Sequence, residues 1–138
     1  MANVSWSLSI QVAGGPTVTA REGPIAAEAI SRIEVLIPER SDSGSAGELT
    51  VDLQSGPVNG IHFLLIKSSQ YGDGRNIVFR TSGDGTTFGG SPITLAGPQF
   101  YSGGAVEHLD PDPRFLRFTN NSGEEARIEI FIARDATP

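Results

Sequence analysis

The chain has 138 residues, with 16 acidic side chains against 10 basic ones and a net charge of −6. That is one domain's worth of polypeptide, without the basic surface that nucleic acid or an anionic membrane selects. There is no cysteine, so disulfides and thiolate metal sites are excluded. The 17 glycines and 9 prolines interrupt regular elements and predict many short ones with tight connections.

The first element is the clearest. Val4, Trp6, Leu8, Ile10 and Val12 are apolar, while Ser5, Ser7, Ser9 and Gln11 between them are polar. A strand sends successive side chains to opposite faces, so this run predicts a ribbon with one dry and one wet face. Gly14-Gly15-Pro16 predicts a turn and residues 17–20 a short second strand. Residues 25–30 (IAAEAI), with Pro24 at their head, carry the signal of a helical turn, or equally of a loop into a strand at 33–37 that Pro38 ends.

Residues 39–48 (ERSDSGSAGE) predict an exposed flexible loop, and residues 49–53 alternate again. Gly56-Pro57 and Asn59-Gly60 punctuate the chain before residues 61–66 (IHFLLI), the most apolar run. Such a run predicts a strand buried on both faces at the centre of a sheet. Residues 68–75 form a Gly-rich turn, from which residues 76–80 are expected to pair back. Ser82-Gly83-Asp84-Gly85 predicts a hairpin-type turn. Residues 91–95 and 99–101 are short and extended around Gly97-Pro98, and residues 105–109 follow a Gly-Gly pair. Asp110-Pro111-Asp112-Pro113 is a stiff turn. Residues 114–119 (RFLRFT) and 126–133 (ARIEIFIA) are expected to form a last hairpin across Asn120-Asn121-Ser122-Gly123. Eight to ten short strands at spacings near ten residues predict an all-β fold: residues 1–138 as one antiparallel β-sandwich domain, jelly-roll-like.

The first residues, MANVSWSLSIQV, lack a basic segment followed by an apolar core. The expectation is a chain without a signal peptide, made in a cytoplasm. No apolar run is long enough for a membrane helix.

The tests for chemistry point to an ordinary surface. Only His62 and His108 can supply an imidazole. His62 sits within the apolar strand, and His108, beside Glu107 and near Asp110, is the better candidate base. The acidic pairs Glu124-Glu125 and Asp110/Asp112 fall in turns, where solvated charge explains them. Gly72-Asp73-Gly74 and Gly83-Asp84-Gly85 resemble fragments of calcium loops but lack the further carboxylates at regular offsets. Aspartate that caps its own turn accounts for both. Trp6 is assigned to packing, and Tyr71 and Tyr101, near turns, are the candidates for display. Asn3 and Asn120 match glycosylation sequons, and with no signal peptide expected both read as chance matches. No catalytic residue, cofactor site or metal site is assigned.

The C-terminal third has a texture of its own. Gly97-Pro98, Gly103-Gly104-Ala105-Val106, Leu116-Arg117-Phe118-Thr119-Asn120, and Ile128-Glu129-Ile130 through Pro138 occur in sequence, and the opening VSWSLSIQVAGGP has a similar flavour. This pattern resembles small structural proteins encoded among the head genes of tailed bacteriophages. The resemblance implies a non-enzymatic virion structural protein, foremost a capsid cement (decoration) protein that binds and stabilises the outer shell. It implies a major capsid protein or other virion protein as partner, a homo-oligomer and a place in the virion, while the acidic charge balance leads us to expect no nucleic-acid and no membrane partner. The contact elements expected from exposure are residues 39–48, the residues before Val4 and the tail after Ala133. The alternative is a carbohydrate-binding or adhesion module of a tail fibre or cell surface.

Overall fold

The structure, a computed structural model, describes residues 2–53, 60–88, 91–109 and 113–135. The described residues form ten strands: β1 (Ala2–Gln11), β2 (Thr17–Ala27), β3 (Ala29–Ile37), β4 (Gly47–Asp52), β5 (Ile61–Ser68), β6 (Ile77–Ser82), β7 (Ile93–Leu95), β8 (Gln99–Ser102), β9 (Phe115–Asn120) and β10 (Ala126–Arg134). A 3-10 turn at Gly103–His108 separates β8 from β9. β1 and β2 make a two-stranded ribbon, while β3-β10-β5-β8 and β4-β9-β6-β7 make two four-stranded sheets. Every pairing is antiparallel.

The two sheets face each other across one apolar core, as the alternating pattern predicts. Ile37, Leu64, Ile66, Ile128, Ile130 and Ile132 come from the first sheet, and Val51, Ile77, Phe79, Leu95, Leu116 and Phe118 from the second. The Phe79 and Phe118 rings, both fully buried, meet at 5.8 Å between centroids. Sheets stacked this way bury the inner faces of their strands, which stabilises a cysteine-free chain through packing. β5, the apolar run, lies between β10 and β8 with both faces covered, as its composition requires.

The strand partners differ from the expected hairpins. Residues 76–80 do not pair back on residues 61–66, because β5 and β6 lie in different sheets. β9 and β10 likewise form no hairpin: β9 pairs with β4 and β6, and β10 with β3 and β5. The partners nest instead, β3 with β10, β4 with β9, β5 with β8 and β6 with β7. Alternation marks which face of a strand is dry and says nothing about which neighbour it takes. Crossing to the facing sheet buries the same dry face as a hairpin does.

Polar corners make these crossings. Asn120 is fully buried at the turn between β9 and β10. Its amide nitrogen donates to the Glu124 carbonyl at 2.7 Å and to the Ile37 carbonyl at 3.4 Å, while its Oδ1 accepts from the Ser122 amide at 2.9 Å and the Ser122 hydroxyl at 2.7 Å. Gln70, also buried, donates to Ser122 Oγ at 2.9 Å. The Asn120 sequon is therefore sealed inside a corner.

Other local expectations are also corrected. Residues 25–30 are neither helix nor loop: β2 runs on to Ala27 and β3 starts at Ala29, with a bend at Glu28 between them. The only helical turn among the described residues lies at Gly103–His108, where Gly103 has φ +57°. Ser82-Gly83-Asp84-Gly85 opens a long connection, since β7 starts only at Ile93. Residues 39–45 are exposed as expected, but Gly47 is buried and already opens β4, and the loop is tied down. Ser41 N donates to Ser45 O at 2.8 Å, and Arg40 N donates to Ser122 O at 2.9 Å. The turn residues Gly56, Pro57, Asn59, Asp110, Pro111 and Asp112 lie outside the described residues, as do residues 136–138 of the tail.

Candidate binding surface

The outer face of the first sheet carries a second, smaller apolar cluster. Ala27, Phe63 and Ala133 are buried there, with Val4, Trp6, Ile25, Leu65 and Phe131 packed against them. The root of the β1–β2 ribbon thus lies across this sheet as a third layer. Ala27 leads directly into edge strand β3, and Trp6 reaches edge strand β8 at the opposite side. Its ring sits 5.1 Å from Phe100, which stacks on Phe63 at 6.3 Å. The indole N–H donates to Ser102 Oγ at 3.0 Å, and that hydroxyl donates to Glu22 Oε2 at 3.0 Å. A bulge seats the ribbon, because Val4 pairs with Ile25 while Trp6 pairs with Glu22. Gly23 in this bulge has φ +143°, and a Cβ there would meet Ser5 Cβ at 2.7 Å. Only glycine fits this position.

Beyond Trp6 and Glu22 the ribbon overhangs the β8 edge. Residues 7–21 extend roughly 20 Å at about 3.3 Å per residue. Leu8, Ile10, Val12 and Val18 continue the stripe begun by Val4 and Trp6, yet they are 38%, 49%, 58% and 55% exposed. The register sets Ile10 opposite Val18 and Leu8 opposite Ala20, so these side chains share one face. The dry face read from the sequence is therefore dry only over its first half. Alternation shows that a face is apolar and does not show what covers it.

An open hollow of about 630 Å³ lies at the bulge, lined by Ser5, Trp6, Ser7, Arg21, Glu22 and Gly23. It combines one aromatic edge, two hydroxyls and two opposite charges.

The candidates for catalysis are dispersed. His108 is exposed in the 3-10 turn, and the neighbouring Asp110 lies outside the described residues. His62 instead finds a carboxylate: its Nε2 lies 3.0 Å from Asp135 Oδ1, both side chains about one-third exposed. Their 73-residue separation hides this pair from sequence reading. Glu124 pairs with Arg75 at 3.1 Å on the surface, and Glu125 is exposed. Asp73 is exposed in its turn. Asp84 caps its turn, accepting from the amides of Thr87 at 2.7 Å and Thr86 at 2.8 Å and from the Ser82 hydroxyl at 2.9 Å. The Thr87 and Thr86 amides, with Ser82, hold its carboxyl well below the usual carboxylate range. Among the described residues, no three acidic or histidine side chains gather as metal ligands.

The tyrosines are less displayed than expected. Tyr71 is half-buried against the main core, its hydroxyl accepting from Ser68 N at 2.8 Å. Tyr101 packs on the same core and donates to Gln99 Oε1 at 2.7 Å, with burial pushing its phenol pKa up.

What sequence reasoning missed is the overhang. Its signal was available: residues 2–20 carry no charged side chain, an unusual length for a solvated hairpin. No protein-family model matches the chain, and neither a curated protein nor a solved structure matches it.

Proposed function

We propose that this chain is a non-enzymatic virion structural protein, a capsid cement or decoration protein that binds the outer shell and stabilises it. The observation that carries the reading is a sandwich with a long ribbon, uncharged over residues 2–20, overhanging one side. Natural sheet edges are usually blunted by charge, proline or shortness. The distal ribbon has open backbone edges and none of these devices in residues 7–12, so it suits strand addition to a partner. The tied-down loop at residues 39–45 adds an exposed, preformed contact on the body. We read the nested strand pairing as a jelly roll, an architecture found in capsid and lectin domains alike. The resemblance of residues 97–138 to phage head proteins tips the choice toward the capsid.

The experiment is rebinding. Purified protein is mixed with shells that lack it and sedimented. Saturable co-sedimentation at micromolar concentration, with shells that then resist heat or chelation better, supports the proposal. Protein left wholly in the supernatant sinks it.

The hollow at Ser5, Trp6, Arg21 and Glu22 favours one second reading, a carbohydrate-binding or adhesion module. An aromatic edge beside hydroxyls and a charged pair is chemistry that holds a sugar ring. In that case a glycan array gives hits that Arg21→Ala abolishes, and a blank array removes the reading.

A further inference from the structure

The flank that the ribbon overhangs is neutral in an otherwise acidic molecule. Residues 2–20 and 86–106 carry no charged side chain, although the chain's net charge is −6. These segments hold most of the ribbon and both edge strands on that side, β7 and β8. Among the described residues, five of the seven exposed large hydrophobics lie on this flank: Leu8, Ile10, Val12 and Val18 on the ribbon, and Phe100, 40% exposed, on β8 at the ribbon's root. Among the described residues no further strand pairs with the outer edge of β8.

We propose that this flank is a twofold contact between two copies of the chain, in which each ribbon lies across the other copy's β8 and its Phe100. Three arguments select a second copy as the occupant. The first is charge. Two bodies of net charge −6 repel each other, whereas residues 7–20 of the ribbon and the whole of β8 carry no charge and the charges at the ribbon root, Arg21 and Glu22, are of opposite sign, so the copies meet with little net repulsion there. The second is continuity. The ribbon's inner half already packs on the outer face of the first sheet through Trp6 and Phe100, and the outer half presents the same apolar stripe to an equivalent surface. The third is area. The open apolar side chains of one flank amount to on the order of 400 Å², at the level where patches on monomers become interaction sites. A ribbon on one foreign surface buries too little for a stable contact. Reciprocal exchange doubles the area, and with backbone pairing along β8 it approaches the lower end of specific interfaces, about 1,200 Å². Such an isologous contact closes on itself, so it ends at the dimer. A bare two-stranded ribbon is also marginal in water, and a cover on its apolar face stabilises it.

This inference goes beyond the shell reading and does not depend on it. The test uses the absence of cysteine. Sedimentation equilibrium on the unmodified protein at about 100 µM, a concentration suited to a small interface, is expected to give twice the 14.5 kDa chain mass. Ile10→Ser with Val18→Ser, both at outward positions on the ribbon, is expected to give the single-chain mass with an unchanged far-UV spectrum. For the geometry, Ile10→Cys and Lys67→Cys are made as separate chains. Lys67 is exposed on β5, two residues along from Leu65, which pairs with Phe100. A short bis-maleimide is expected to link the mixed chains and to leave Ile10→Cys alone unlinked. A single-chain mass for the unmodified protein, a trimeric mass, or linking of Ile10→Cys only to itself overturns the proposal, the last by showing ribbons packed face to face. None of these outcomes bears on shell rebinding, so the two proposals fail separately.

Discussion

Replacing Phe100 by alanine separates the ribbon from the sandwich energetically. Phe100 is 40% exposed, so about three-fifths of its side chain is covered, worth roughly 1.5 kcal/mol of a full burial of about 2–3 kcal/mol. Its pairing with Trp6 at 5.1 Å adds on the order of 0.5–1 kcal/mol. The sum, about 2 kcal/mol, weakens seating of the ribbon about 30-fold. Trp6 is the only tryptophan, so its emission reports the ribbon root while far-UV circular dichroism reports the sheets. In Phe100→Ala, the Trp6 emission is expected to shift to the red in native buffer. In urea, its transition is expected to move to lower concentration, while the circular dichroism midpoint moves little. Unchanged Trp6 emission, with both midpoints falling together, would show that Phe100 belongs to the sandwich core and that the ribbon is no separate layer.

Three further expectations follow from the body. Phe118→Ala opens a cavity beside Phe79 at the centre of the core, costing about 3–5 kcal/mol; calorimetry should show a melting temperature lower by roughly 10 °C, and a loss of only a degree or two would contradict the packing described. Asn120→Ala strands the Ser122 amide in a buried corner and leaves the Glu124 carbonyl with only the Ser122 hydroxyl as donor, costing about 1–3 kcal/mol; amide exchange at Ser122 should accelerate. Asp84 has a depressed pKa in the folded chain, so its contribution is fully present above the unfolded value near 3.8 and is lost as pH falls below it. Asp84→Ala should therefore lower stability at pH 7 and make it less steep between pH 4 and pH 2 in a series of urea melts; an unchanged slope in that window would remove the capping role.

Much of the fold was legible because strand physics is local. Alternation at Val4 to Val12 and the double-sided apolar run at residues 61–66 each named a strand and a buried face, and both faces are where the pattern put them at the ribbon root and in β5. Pairing was not legible. The Asn120 corner sends β10 to the opposite sheet through hydrogen bonds to the Ile37 and Glu124 carbonyls, and no periodicity carries that information. Residues 25–30 misled for a related reason. Ala and Glu favour helix, but Ile25 and Ala27 bury their side chains on the sheet's outer face, and tertiary packing overrides a weak propensity. The His62–Asp135 pair was invisible because its members meet only through the pairing of β5 with β10.

The central claim is that this protein works by touching another protein assembly. The most direct measurement is binding of the purified chain to shells that lack it, followed by sedimentation over a micromolar range. A saturable curve with a fixed number of copies per shell is the predicted result. A flat curve, or binding that grows in proportion to concentration without limit, would contradict it.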